Sequence, residues 1–365
     1  MKTSISYSLI AAAMACGFAN AQTTAYTTPV GYMSIAVPAD TDTPISAPLL
    51  RSAAWAGAST AVSGDTVSVA AASFTASQFG AGTNMLQVTS GPLIGRTFPV
   101  LSNATGSVTV DPVGSTTLQA QGFVATNTFV IRPYWTLNTL FPSGAGVGVS
   151  TDPFSPTTQV LISNNSGSGI NRAPSSLYFY FDDGSGDGSA GWYDTSDLGA
   201  GIQNDLTLPP TSVPTIRNST ASPLALTVSG EVQSVAAATL VISDTSANDS
   251  FSQLSFPVDT SLNQSNLFGN GAVAASSDPF APGDQVLVFN PNGTGQNPGS
   301  SGIYFYYDDG SGDGSAGWYD ASDLGSGIIG STTFLKAGSN IIIRKAGNGS
   351  GPVANTWTAP LPYSL

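Results

Sequence analysis

Residues Asp182-Asp183-Gly184-Ser185-Gly186-Asp187-Gly188-Ser189-Ala190-Gly191-Trp192-Tyr193-Asp194 recur letter for letter from Asp308 to Asp320. With Asp183 as the first position, Asp183, Ser185, Asp187 and Asp194 place side-chain oxygens at positions one, three, five and twelve. Gly188 stands at position six, and Ser189 offers its carbonyl at position seven. That is the oxygen-ligand spacing of an EF-hand calcium loop, with Asp in place of the usual bidentate Glu. The second copy offers Asp309, Ser311, Asp313, Ser315 and Asp320 around Gly314. Short oxygen-bearing side chains alternating with glycine can curl around a hard cation, and calcium is the expected cofactor. The short Asp at position twelve and flanking strands in place of helices point to weak binding, ~0.1 to 1 mM, as in extracellular modules. The competing reading is an ordinary hairpin loop, rich in Asp and Gly because turns favour them.

An aromatic run precedes each acidic loop, Leu177-Tyr178-Phe179-Tyr180-Phe181 and Ile303-Tyr304-Phe305-Tyr306-Tyr307. Side chains alternate along a strand, so Tyr178 and Tyr180 face one way and Phe179 and Phe181 the other. Either the tyrosine face is core, or Tyr178, Tyr180, Tyr304 and Tyr306, with Trp192 and Trp318 on the return strands, form a ligand platform able to stack on sugar rings.

Composition narrows the classes. Of 22 acidic residues only Glu231 is Glu, and five Asp fall in each loop region, 182–197 and 308–323. The net charge is −13 with nine Lys plus Arg, so no basic patch suits nucleic acid or an anionic membrane. Residues 1–21 read as an export signal: Lys2, the apolar stretch from Ile5 to Phe18, then Ala19-Asn20-Ala21 before Gln22. The single Cys, Cys16, lies inside that signal, in a poor lipoprotein box, and the chain has no His. Disulfides, Cys or His zinc sites and Ser-His-Asp triads are therefore excluded from the mature chain. No later run reaches the roughly 18 apolar residues of a membrane helix. Two prolines near the end, Pro360 and Pro362, disfavour the closing strand of a transmembrane barrel.

The elements that must carry the loops are strands. Good helix formers such as Glu, Lys and Gln are scarce, while short alternating runs such as Tyr32 to Val37, Met85 to Val88, Thr97 to Leu101 and Thr128 to Ile131 are separated by Gly, Asn or Asp. The expected fold is all-β, with duplicated antiparallel sandwich or partly closed barrel modules and aromatic hairpins. The repeat extends beyond the loops: Ser150-Thr151-Asp152-Pro153-Phe154 matches Ser276-Ser277-Asp278-Pro279-Phe280, Gln159-Val160-Leu161 matches Gln285-Val286-Leu287, and Ile216-Arg217 matches Ile343-Arg344. Two related units are expected at 139–218 and 266–346, within modules 22–218 and 219–365 divided near Thr220.

Four stretches carry a resemblance: Val30-Gly31-Tyr32 through Ser46-Ala47-Pro48-Leu49, Ser90-Gly91-Pro92-Leu93-Ile94-Gly95-Arg96, Ile131-Arg132-Pro133-Tyr134-Trp135-Thr136-Leu137, and the aromatic hairpins. In these the chain resembles an uncharacterised family of secreted two-repeat proteins associated with verrucomicrobial bacteria. The resemblance covers most of the mature chain, implies secretion, and brings no catalytic signature. The chain departs from that family in its acidic loop ending Trp-Tyr-Asp, where similar proteins carry a shorter, basic hairpin. The expected function is a secreted or cell-surface structural or binding protein, with a glycan or envelope component as partner. The alternative is an Asp-dependent glycan hydrolase or lyase, since paired carboxylates need no His. Asp152 and Asp278 are the repeated carboxylates outside the loop regions, and both are expected to open turns.

Overall fold

In the computed structural model, residues 28–114, 116–290 and 293–365 are described; the export signal at 1–21, with Cys16, lies outside them. Strands make up 38% of the described residues and helices 5%, as the alternating sequence requires. Among the described residues no helix is long and apolar enough to cross a membrane.

A seven-stranded antiparallel sheet is built from Trp55–Ala58, Thr128–Pro133, Asn84–Val88, Thr97–Ala104, Ser107–Val110, Thr66–Ser68 and Ala61–Ser63, in that spatial order. Its first and last strands are neighbours in sequence, joined by Ser59 and Thr60, so the sheet curls into a half-barrel. A register shift between Val100 and Ser102 helps to bend it. Inside lies a core that includes Val67, Leu86, Phe98, Val108, Leu118 and Phe129. All but Leu118, which lies in the connection between Val110 and Thr128, are inward members of period-two strands.

Two five-stranded sheets carry the acidic loops. One runs Gly191–Asp194, Ser176–Phe181, Thr158–Ser163, Val213–Asn218, Thr41–Pro44. The other runs Gly317–Asp320, Gly302–Tyr307, Gln285–Val288, Asn340–Lys345, Asn248–Gln253. Matched segments occupy matched places, and each has its own core, around Phe141, Val160, Trp192 and Ile216 in the first and Val273, Val286, Trp318 and Ile343 in the second. The fifth strand of each sheet comes from far away in sequence, a pairing that local pattern does not announce. The chain also does not break at 218: Leu224–Val232 pairs along Val30–Val37 and, at its far end, with Leu49–Leu50. The sequence division into 22–218 and 219–365 therefore falls between strands that cooperate.

Each fifth strand brings in a buried aspartate. Arg217 grips Asp42 with two hydrogen bonds, Nε to Oδ1 at 2.8 Å and Nη2 to Oδ2 at 2.7 Å. Arg344 grips Asp249 in the same way, at 2.7 and 3.0 Å. A loop from the opposite sheet completes each pair. The Asn297 N–H donates to Asp42 and its side-chain oxygen accepts from Arg217, at 2.8 and 2.9 Å. Asn171 does the same for Asp249 and Arg344, at 2.8 Å in both bonds. Asn171 and Asn297 hold φ of 54° and 50°, a left-handed conformation that Asn tolerates better than most residues. The main chain joins the clasp, with Asp42 N–H on the Gly295 carbonyl and Asp249 N–H on that of Gly169.

Removing one partner of such a pair strands a desolvated charge. Asp249→Ala and Asp42→Ala are expected to lower stability by about 3 kcal/mol or more each. Asp259→Ala, which breaks the half-exposed pair with Lys336, is expected to cost less than about 1 kcal/mol. Guanidinium unfolding of the three variants beside the parent measures the contrast; equal losses would contradict it.

Candidate functional site

The acidic loops are hairpin tips. Asp183 and Asp187 are exposed, and each tip is built of successive side-chain-to-backbone turns. Asp182 accepts from the Gly184 N–H at 2.8 Å, Asp183 from Ser185 at 2.9 Å, and Asp187 from Ser189 at 2.8 Å. Asp308, Asp309 and Asp313 repeat these bonds at 2.8, 2.9 and 2.8 Å. The tip therefore satisfies its own backbone, which is why Asp and Ser alternate with Gly here.

The tips do not bring the six oxygens of the twelve-residue spacing around one point. Residues expected at positions nine to twelve are strand instead: Gly191 pairs with Phe181, Trp192 with Tyr180, Tyr193 with Phe179 and Asp194 with Tyr178. Asp194 thus lies three strand residues below the tip, roughly 10 Å at about 3.3 Å per residue, whereas calcium needs its oxygens within about 2.6 Å of one point. Its Oδ1 instead accepts from the Ser196 N–H and hydroxyl, at 2.8 and 2.6 Å. The Ser189 carbonyl, expected as the seventh-position ligand, accepts from the Tyr193 hydroxyl at 2.8 Å. Asp320 and Ser315 repeat this through Ser322 and Tyr319. Asp183, Ser185 and Asp187 remain together in one tip, and Asp309, Ser311 and Asp313 in the other. Among the described residues no group of three or more carboxylates is placed to hold a metal ion. Gly191 to Asp194 pair as strand, and the pairing buries Trp192 beside Tyr180.

The tyrosine and tryptophan platform is also corrected. Trp192 is fully buried and Trp318 is 1% exposed, and Tyr178, Tyr180 and Tyr304 are buried with them. Tyr306 is half-buried, stacked on Phe268 with ring centroids 3.5 Å apart. Tyr180 meets Trp192 edge-on at 5.7 Å, and Trp192 packs on Phe141 at the same separation. The tyrosine face is the core face. Gly191 and Gly317 permit this packing, because a Cβ on either would lie 2.7 or 2.8 Å from the Ile202 or Ile328 side chain.

Sequence reasoning passed over the exposure of Phe154 and Phe280, which stand beside the tips. Asp152 and Asp278 open turns, each accepting from the N–H two residues on at 2.9 Å. Those turns hold Phe154 and Phe280 in water, 84% and 85% exposed. Ser150 and Ser276 tie the turns to the tips: each carbonyl accepts from the N–H of Asp182 or Asp308, at 3.1 and 3.0 Å. The repeated Asp-Pro-Phe, standing outside any alternating run, was the available signal. One asymmetry separates the tips: the Tyr307 hydroxyl donates to Asp309 Oδ2 at 3.0 Å, where the first tip has Phe181.

No family model, curated protein or solved structure matches the chain.

Hydrogen bonding by Ser185 holds the Asp183 carboxyl below the usual carboxylate range, and Ser189 followed by Ser185 does so for Asp187. Ser311 and then Tyr307 lower Asp309, and Ser315 lowers Asp313. A carboxyl depressed in the folded state stabilises above its unfolded pKa, about 3.9 for Asp, and that contribution fades as pH falls through the lower folded value. The Ser185, Ser189, Ser311 and Ser315 amide resonances are therefore expected to hold from pH 7 to 5 and to move only below the ordinary Asp range. Movement between pH 5 and 6 would contradict the turns.

Proposed function

We propose that the chain is an exported, non-catalytic binding or structural protein that touches its partner through two equivalent ends, each an acidic tip beside an exposed phenylalanine. The exposure of Phe154 and Phe280 carries the reading. Neither ring contributes to a core, and an aromatic side chain held in water on a braced turn suits the anchor role that interfaces give such residues. Neighbouring carboxylates favour a partner surface with positive charge around an apolar recess. An envelope component bearing amino groups has that chemistry. A glycan partner would meet Phe154 and Phe280 instead of the buried Tyr and Trp. Export rests on the signal pattern of residues 1–21.

Two ends engaging one polymer convert the second contact into an intramolecular one, worth roughly 10²–10⁴-fold in avidity where geometry allows both. Retention of the mature protein on isolated envelope of the producing cell, washed at rising salt, tests the proposal. Phe154→Ala or Phe280→Ala is expected to lower the salt needed for release, and the double variant to abolish retention with its melting temperature unchanged. Undiminished retention of the double variant would refute the anchors. Release of reducing ends from the same material would favour the Asp-dependent hydrolase or lyase instead.

Calcium keeps a reduced place in this proposal, as a weak ion bridging tip and partner. Asp183, Ser185 and Asp187, and Asp309, Ser311 and Asp313, would hold it, without Asp194 or Asp320. Without Asp194 or Asp320 the binding is expected to be weaker than in extracellular modules, with a dissociation constant of about 5 mM, and calcium at that concentration adds only about 0.4 kcal/mol per site. A thermal melt in 5 mM calcium is thus expected within about 2 °C of one in chelator. A rise well beyond that would restore the twelve-residue site.

A further inference from the structure

A cavity of about 360 Å³ lies where the half-barrel, the first aromatic sheet and the strand Ala237–Ser243 meet. Leu49, Met85, Tyr134, Trp135, Leu208 and Leu240 are among its walls. The volume is at the lower end of small-molecule sites, about 300–1,000 Å³.

Its charge runs against that of the chain. No Asp or Glu is among the lining residues, although the chain carries 22 of them. Two arginines line it, Arg51 and Arg96. The Arg96 guanidinium lies 4.8 Å over the Phe98 ring and donates to Gln121 at 2.5 Å. Arg51 is differently placed. It donates once, from Nη1 to the Tyr134 carbonyl at 3.1 Å, and its guanidinium lies 5.9 Å over Trp135. Among the described residues it has no carboxylate partner, whereas Arg132, Arg217, Lys336, Arg344 and Lys345 all have one. A guanidinium has five N–H donors, so most of Arg51's hydrogen-bonding capacity is unspent.

Two buried amides add to the surplus of donors. Gln87 and Gln233 both line the cavity, each 3% exposed. Gln87 Nε2 donates to Gln233 Oε1 at 3.1 Å, and Gln233 Nε2 donates to the Ala236 carbonyl at 3.3 Å. Each amide nitrogen has a second hydrogen. Each oxygen accepts one bond, Gln87 Oε1 from Arg132 Nε and Gln233 Oε1 from Gln87, and keeps a second lone pair. Two arginines without a carboxylate partner among the described residues, spare amide hydrogens and apolar walls suit a ligand with a negative head and a greasy body.

We propose that this cavity binds a small organic anion, its charged group against Arg51 and its apolar body against Trp135 and the neighbouring leucines. Arg suits the task because its planar fork meets a carboxylate or sulfonate with paired hydrogen bonds. The site shares no residue with the tips and stands whether or not the tips bind a partner.

The test uses the mature chain and the fluorescent probe 8-anilinonaphthalene-1-sulfonate. Saturable binding of one probe per chain is expected, displaced by octanoate but not by octan-1-ol at equal concentration. Arg51→Gln is expected to weaken the probe at least tenfold, and Arg51→Lys to recover part of the loss. A melt of each variant checks folding; should Arg51→Gln fail to fold, the octanoate and octanol pair on the parent chain decides. Absence of saturable binding, equal displacement by the alcohol, or unchanged affinity in a folded Arg51→Gln chain would overturn the proposal.

Discussion

Two arginine–aspartate pairs, each completed by an asparagine from the opposite sheet, bind the two aromatic sheets to one another. Asp249 is fully buried and Asp42 nearly so, and a carboxylate in that position is tolerable only with every lone pair engaged. Arg217 and Arg344 supply the charge, and the backbone N–H groups of Asn297 and Asn171 supply part of the rest. Neither pair is complete within its own sheet. The arrangement has the self-complementary character of a two-fold interface, residue for residue, inside a single chain. The strongest local charges in the molecule thus serve assembly of the fold.

The only glutamate serves a related end. Glu231 pairs with Arg132 in the interior and accepts from the Ala53 N–H at 3.2 Å, while Arg132 also donates to Gln87 and to the Arg51 carbonyl. This knot joins the half-barrel to the sheet built on Leu224–Val232. Glu231, beside the adjoining cavity, is thereby already engaged. Several of the buried polar groups, Asp42, Asp249, Arg132 and Glu231 among them, stand where separate sheets must find a fixed relation.

Local chemistry was legible in the sequence, and long-range pairing was not. Alternation in Thr97 to Leu101 and Thr128 to Ile131 gave strands where strands occur, and Asp152 and Asp278 opened the turns their Pro-Phe neighbours suggested. The position-twelve carboxylate failed because loop spacing and hairpin pairing compete for the same residues, and Gly-Trp-Tyr-Asp fits a strand opposite an aromatic run. The tyrosine face gave no clue to its burial, since alternation says which side chains share a face and not which face meets water. Asp42 opposite Arg217, Glu231 with Arg132 and Asn171 against Asp249 are separated by 78 to 175 residues. No local window contains both members.

The half-barrel has one further consequence. An open sheet offers unpaired N–H and carbonyl groups along both outer strands, an invitation to other chains. Here those outer strands, Trp55–Ala58 and Ala61–Ser63, are four and three residues long and adjoin at Ser59 and Thr60. Ser59 donates to the Asn127 carbonyl and Thr60 to that of Ser68, so the connection is itself tied down. What would be two long seams becomes one short corner, and a molecule so rich in strand is left with little edge there on which a neighbour could crystallise into fibrils.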